Sequence, residues 1–320
     1  MIMCSIKKII FILLSYTLLI ALSACGSDSN STVTAGRNGP LPGTLTINIT
    51  DAPVDNVQEV WVQFTGISIK PAGSKVINFT FETEKNINLL ELQGTLSTFL
   101  IDKAVIPSGH YNWVRLNVSA EDDGNNDTYI KLKDGSVHEL WIPSSRQSGL
   151  KIVTGFDVAP DGDLDLMLDF DLRKSIIQTR DGRYKLRPTL RMVKTRNTGN
   201  IRGVIDSALL TAANCSDDDP STGNAVYLYT GTDITPDDVN ATSPGPLTSA
   251  RIKLNNNNGK YRYIIGYVPE GDYTLAFTCQ ADLDDPDVDD DIVFSFTSSI
   301  TVTANRNNLP ITEPETSPVR

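Results

Sequence analysis

The sequence predicts an all-β chain of two tandem β-sandwich domains, and three observations carry that expectation. From residue 44 onward, apolar and polar residues alternate in run after run, the period-two signature of strands with one buried face. Helix-compatible patterning is confined to residues 89–104, and Gly94 interrupts it, so one or two short helical turns are expected there at most. A polar, Gly-containing stretch at 195–200 separates two series of strand-like runs. The length, 320 residues, suits about two domains, each able to bury most of its apolar surface.

Taken in order, residues 1–24 read as a signal peptide. Lys7 and Lys8 give a positive start, and residues 9–21 form an apolar run broken only by Ser15 and Thr17. The run is shorter than the about 20 residues a bilayer span needs and suits a signal core. Leu22-Ser23-Ala24-Cys25 follows directly and resembles the lipobox of bacterial lipoproteins. That resemblance implies that Cys25 is acylated and becomes the first mature residue. Gly26, rather than an acid, comes next, and by the same resemblance this implies an outer-membrane lipoprotein, on the periplasmic face or at the cell surface. Each buried CH₂ contributes about 0.8 kcal/mol, so one acyl chain is marginal and several are effectively permanent. Residues 25–43 are the acylated flexible linker, because their Gly, Ser and Asn content offers too little apolar surface to offset ordering entropy.

The first domain, 44–197, opens on Leu45, Ile47 and Ile49 alternating with Thr44, Thr46 and Asn48. Val60, Val62 and Phe64 point opposite to Glu59, Trp61 and Gln63, and residues 112–118 alternate likewise. In 164–172, Leu164, Leu166, Leu168, Phe170 and Leu172 share one face, with Asp165, Asp169 and Asp171 on the other. A one-residue slip would exchange Leu for Asp, so this register is well specified. Asp134-Gly135 and Asp181-Gly182 are turn signals. The second domain, 198–310, has strand-like runs at 201–210, 225–230, 250–254, 261–268, 273–280 and 292–303. Residues 311–320, with Pro314 and Pro318, read as a frayed tail.

Each domain contains one P-x-G-x-Y segment, Pro107-Ser108-Gly109-His110-Tyr111 and Pro269-Glu270-Gly271-Asp272-Tyr273. Pro and Gly make a tight turn, and the Tyr starts a strand with its ring against the sandwich. The segment resembles the turn-and-strand element of transthyretin-like modules, including carboxypeptidase regulatory-like domains. It supports a sandwich class (Ig-like or transthyretin-like) and implies no ligand.

Several segments in order carry a more specific resemblance. They are Thr50-Asp51-Ala52-Pro53, Leu89-Leu90-Glu91-Leu92-Gln93-Gly94, the first P-x-G-x-Y with Arg115-Leu116, Ile142-Pro143-Ser144, Ser148-Gly149-Leu150-Lys151 and Leu168-Asp169-Phe170-Asp171-Leu172-Arg173-Lys174-Ser175. On these, residues about 44–195 resemble the bacterial lipoprotein family known as domain of unknown function 4382. The family implies no activity, so no catalytic residue is carried over.

Of the four cysteines, Cys4 leaves with the signal and Cys25 is acylated. Cys215 and Cys279 remain in an oxidising compartment. They are expected to form a disulfide, which for their separation stabilises by about 4 kcal/mol in the chain-entropy model; the alternative is two buried thiols.

The formal charge is −11, becoming −13 once Lys7 and Lys8 are removed. Such acidity argues against nucleic acid as a partner. No G-x-S-x-G, P-loop, G-x-G-x-x-G or H-E-x-x-H motif occurs. His138 and Glu139 neighbour each other on a strand and so face opposite ways, and His110 lies in a turn. No catalytic residue and no cofactor is therefore expected, apart from a candidate Ca²⁺ site. Seven of the ten residues 282–291 are Asp, and Asp285, Asp287 and Asp289 make a D-x-D-x-D run. Asp161, Asp163 and Asp165, and Asp123, Asn125 and Asp127, are weaker versions. Ca²⁺ wants six to eight oxygens, but none of these loops has the EF-hand glycine, and a solvated acidic loop is the plainer reading. The 169–174 segment is either a recognition site or a strand ion-paired to Arg187 or Arg191. Trp61, Trp113 and Trp141 line a carbohydrate groove or serve packing.

The expected function is a membrane-anchored envelope lipoprotein that acts as a non-enzymatic binding module for a glycan or an envelope-protein partner. Alternatives are a structural or assembly component of a cell-surface complex and, less favoured, a hydrolase with an unrecognised Asp/His site.

Overall fold

In the computed structural model the alternating runs pair into four sheets among the described residues. Those residues are 41–309, except 53, 55, 56, 144–148, 188, 216 and 241–244. The signal peptide, Cys25, the linker up to residue 40 and the tail 311–320 lie outside them.

The first sandwich uses β1 (Gly43–Ala52), β2 (Val57–Pro71), β3 (Ile77–Asn88), β4 (Thr98–Ile106), β5 (Gly109–Ser119), β6 (Tyr129–Leu132), β7 (Val137–Trp141), β8 (Leu150–Ile152), β9 (Phe156–Val158), β10 (Asp163–Asp171), β11 (Ile176–Gln178), β12 (Tyr184–Leu186) and β13 (Leu190–Lys194). One sheet runs β13-β10-β1-β4, and the other runs β11-β12-β7-β6-β2-β5-β8, with β3 on β2 and β9 on β5. Leu45, Ile47 and Ile49 of β1 are fully buried against Val60, Val62 and Phe64 of β2. Each such side chain contributes about 1.5–3 kcal/mol on leaving water. A bulge between Phe64 and Gly66 shifts the phase of β2 so that Phe64 and Ile67 both point inward.

The second sandwich uses β14 (Thr198–Ile205), β15 (Ala225–Thr230), β16 (Thr248–Arg251), β17 (Lys253–Asn255), β18 (Lys260–Pro269), β19 (Gly271–Thr278), β20 (Phe296–Val302) and β21 (Asn307–Asn308). Its sheets run β17-β18-β14-β21 and β16-β15-β19-β20. The single run expected at 250–254 divides at Ile252, β16 pairing with β15 and β17 with β18. One chain segment thus crosses between the two sheets. The expected strand at 201–210 ends at Ile205 and gives way to a helical turn at Ser207–Leu210, capped by Asp206, which accepts from the Ala208 N–H. The region where helix was expected holds one 3₁₀ turn, Leu89–Glu91, and then β4. No helix among the described residues is long and apolar enough to cross a membrane. Cys215 and Cys279 are joined by a disulfide.

Both P-x-G-x-Y segments act in the same way. Tyr111 and Tyr273 are buried, and each hydroxyl donates back to the proline carbonyl four residues earlier, 2.7 Å to Pro107 and 2.9 Å to Pro269. Gly109 and Gly271 have φ of 132° and 152°, a region that side chains disfavour. The glycine lets the chain turn, and the tyrosine ties the turn to the core.

The described residues lie in one compact unit, and the sandwiches meet through buried polar groups. Arg173, in the one-turn helix Leu172–Ser175, is 3% exposed; it donates to Ser249 Oγ at 3.2 Å and to the Ala281 carbonyl at 2.5 Å, with its guanidinium over the Tyr227 ring. Lys174 donates to the Pro246 and Leu247 carbonyls. Tyr267 donates to the Thr95 carbonyl at 3.0 Å. Of the three acids on the polar face of β10 only Asp165 is exposed; Asp169 and Asp171 are buried and ion-paired, Asp169 to Arg191 on the neighbouring strand, which is one of the two readings of 169–174.

Candidate functional site

Three places concentrate chemistry. The first is a cleft of about 360 Å³ between the sandwiches. Its floor is the end of β1. Thr50 Oγ1 donates to the Leu92 and Leu96 carbonyls, both at 2.8 Å, which fixes that strand end against the 89–97 segment. The next residue, Asp51, is 4% exposed, and neither carboxylate oxygen has a hydrogen-bond partner of good geometry. The parallel pairing of β1 with β10 puts Thr50 opposite Asp169 and Ala52 opposite Asp171. Asp169 is held by Arg191, 2.6 Å away, and Asp171 by Lys174, at 3.3 Å. Burial, and then the charges of Asp169 and Asp171, hold the Asp51 carboxyl well above the usual carboxylate range. The Leu172 N–H and Lys253 act in the opposite direction. Burial also raises Asp171, against the pull of Lys174. Across the cleft, Lys253 and Arg262 of the second sandwich are exposed. Partial desolvation and Arg251 lower the Lys253 ammonium, with Asp51 opposing them.

The second place is the outer face of the nine-stranded sheet. Trp61 pairs across with Tyr129, and Tyr129 with Glu139. Directly paired residues share a face, and so does Trp141, two residues beyond Glu139. The Trp61 and Tyr129 rings stack with centroids 6.3 Å apart. Trp61 Nε1 donates to Glu59 at 2.7 Å, and Lys131 pairs with the same carboxylate at 2.8 Å. These bonds hold Glu59 below its ordinary range. Arg183 lies over the Trp141 ring and also pairs with Asp122 and Asp181. Trp113 faces outward toward the far end of the same sheet, opposite Lys70, with the cations of Arg115 and Lys151 over its ring. The three tryptophans are half-buried. The result is a flat, partly apolar surface with hydrogen-bonding groups set between the rings.

The third place is acidic. Of Asp285, Asp287 and Asp289, only Asp289 joins a group of carboxylates with oxygens within 4.8 Å, and its companions are Asp237 and Asp238. Asp238, Asp284 and Asp290 form an overlapping group. Asp287 instead pairs with Arg187 at 2.8 Å, and Asp285 accepts from the Asp287 N–H. Asp284 accepts from the Tyr227 hydroxyl and the Val239 N–H, and Asp238 from Asn240 and the Asp290 N–H. Burial raises Asp238 and Asp284 above the ordinary range. These oxygens are of the kind Ca²⁺ takes, yet Tyr227, Val239, Asn240 and Asp290 already supply Asp238 and Asp284 with hydrogen-bond donors. The 282–291 composition pointed at this loop, but Asp237 and Asp238 carry no local acidic run and only packing brings them there.

The remaining sequence-level candidates stay apart. His110 pairs with Asp157 on the surface, and His138 packs against Tyr184. In the sequence Asp51 stands out only as part of the Thr50-Asp51-Ala52-Pro53 segment. The local signal for it is a charged residue closing a strongly alternating strand.

Solved structures similar to the chain include the TIE protein of Bacillus anthracis, at 12% identity over 84% of this chain and 33% of that one, with a TM-score of 0.18. A leucine-rich repeat protein from Bacteroides thetaiotaomicron shows 11% identity over 84% of this chain and 25% of that one, with a TM-score of 0.21. The minor pilin of Streptococcus agalactiae shows 12% identity over 86% of this chain and 99% of that one, with a TM-score of 0.17. The chain thus spans about a third and a quarter of the length of the first two, and no role is transferred from any of them. No curated protein was found to be similar in sequence. A family model, DUF4382, a domain of unknown function, matches residues 42–188, most of the first sandwich.

Proposed function

We propose that this chain is an envelope lipoprotein, anchored in the outer membrane through acylated Cys25, whose first sandwich binds glycan without catalysing a reaction. The observation that carries the reading is the Trp61–Tyr129 stack on the outer face of the long sheet, with Trp141 beside it and Glu59, Lys131 and Glu139 between the rings. Sugar rings present apolar C–H faces and hydroxyl edges. A flat aromatic pair flanked by fixed polar groups suits both. The paired Glu59 is committed to Lys131 and Trp61, which fits a positioning role rather than acid–base work.

The test is a glycan array, followed by titration of the best polysaccharide against the full chain and its Trp61→Ala variant. Binding that falls at least about tenfold in the variant, a loss of 1.4 kcal/mol or more, supports the reading. Equal binding by both proteins, or none to any glycan, refutes it. Fractionation of a Cys25→Ser variant checks the anchor separately: release from membranes is expected, and continued membrane association overturns that part.

A further inference from the structure

We propose that the cleft between the sandwiches is a second, separate site, one that takes a small zwitterionic ligand with its ammonium on Asp51 and its acidic group toward Lys253 and Arg262. The inference is independent of the glycan reading, because it rests on other residues and another surface.

Asp51 is the starting point. Only the Leu172 N–H approaches this carboxyl, and neither oxygen has a partner of good geometry; a buried group left so lowers stability unless a ligand, ion or water meets it. Its neighbours are already satisfied, Asp169 by Arg191 and Asp171 by Lys174. One carboxyl is therefore left without its own cation at the cleft floor, in the field of two more carboxylates, and it keeps its proton until a cation takes that place. That environment favours a cation.

The geometry distinguishes among cations. A metal ion wants several oxygens converging on one point. Among the described residues, Asp51, Asp169 and Asp171 form no group with oxygens within 4.8 Å, whereas the Asp238 groups do. A single free carboxylate flanked by fixed charges suits an ammonium, which brings its own hydrogen-bond donors.

The opposite wall adds the second half of the ligand. Lys253 and Arg262, paired across β17 and β18, line the same cleft, and neither side chain makes a hydrogen bond or ion pair among the described residues. They would repel a ligand that is only cationic. An acidic group at its far end turns that repulsion into attraction. The volume, about 360 Å³, falls in the range of small-molecule sites.

The experiment is isothermal titration calorimetry of the full chain with glycine, γ-aminobutyrate and alanylalanine, which separate ammonium and acid by increasing lengths. Each is compared with its N-acetyl derivative, which lacks the ammonium, and with its amide, which lacks the acid. At least one zwitterion is expected to bind and to lose about tenfold or more on acetylation. Asp51→Asn should remove that preference for the ammonium, and Lys253→Ala with Arg262→Ala should remove the preference for the acid. The acetylation comparison uses the unaltered chain, so it stands even where a variant fails to fold. Absence of binding by all three zwitterions overturns the proposal. So does equal binding of the acetylated forms, or displacement of the zwitterion by Ca²⁺.

Discussion

Breaking the disulfide should destabilise the second sandwich alone. Cys215 follows the Ser207–Leu210 turn, and Cys279 follows β19, so the bond ties the segment after that turn to a core strand. Their separation is 64 residues, for which loop-closure entropy gives about 4 kcal/mol. Other ties at this place are the Gln280 side chain donating to the Asn214 carbonyl at 2.6 Å and the Asn214 amide donating to Ser295 Oγ at 3.2 Å, each contributing about 1 kcal/mol. For a sandwich of this size, with a urea dependence of about 2 kcal/mol/M, the midpoint should fall by about 2 M in a Cys215→Ala/Cys279→Ala chain. The chain supplies a convenient reporter. All three tryptophans, Trp61, Trp113 and Trp141, belong to the first sandwich. Tryptophan emission therefore follows one core, while circular dichroism follows both. The expected result is an early circular dichroism transition in the variant with an unmoved tryptophan transition. A total shift below about 0.5 M, or a tryptophan transition that moves with it, would refute the separate-core argument.

Two further outcomes follow from the joint between the sandwiches. A Cβ at Gly266 would lie 1.9 Å from the Gly94 carbonyl oxygen, a backbone atom that cannot step aside. Gly266→Ala should cost about 1–3 kcal/mol and part the two surfaces, seen as a lower melting temperature and a larger radius of gyration by X-ray scattering; wild-type values for both would contradict this. Asp51 gives a pH signature. Its folded-state pKa is raised, so the folded chain holds a proton that the unfolded chain releases. The associated stability is full below the unfolded carboxylate pKa, about 3.9, and is lost as pH rises toward the folded value, at about 1.4 kcal/mol per unit of separation. Asp51→Asn should therefore gain on wild type between pH about 4 and neutrality, measured by urea melts across pH. A constant difference at all pH values would show that the Asp51 charge is not the cause.

Much of the fold was readable along the chain. A strand with one apolar face must alternate, and 44–50, 59–64 and 164–172 do so. The same alternation put Trp61 opposite in phase to Val60 and Val62, and it lies on the outer face. The cysteine pairing and the P-x-G-x-Y turns were equally local, because few groups are involved and their chemistry leaves few choices. The candidate sites were much less legible. Alternation says which face of β10 is polar, but not that Asp169 and Asp171 on it are buried and ion-paired. The run of acids at 282–291 names a loop, but Asp237 and Asp238 join it from about fifty positions away. Asp51 reads as one more polar residue at a strand end until β10 and the second sandwich close around it.

The two kinds of information differ for a physical reason. Strand formation and inward-facing apolar residues depend on neighbours in sequence, so a period of two is enough to specify them. The charge state of a carboxylate and the room beside it depend on what packs against it. Around Asp51 that packing comes from β10, more than a hundred residues further on, and from the second hydrophobic core beyond it.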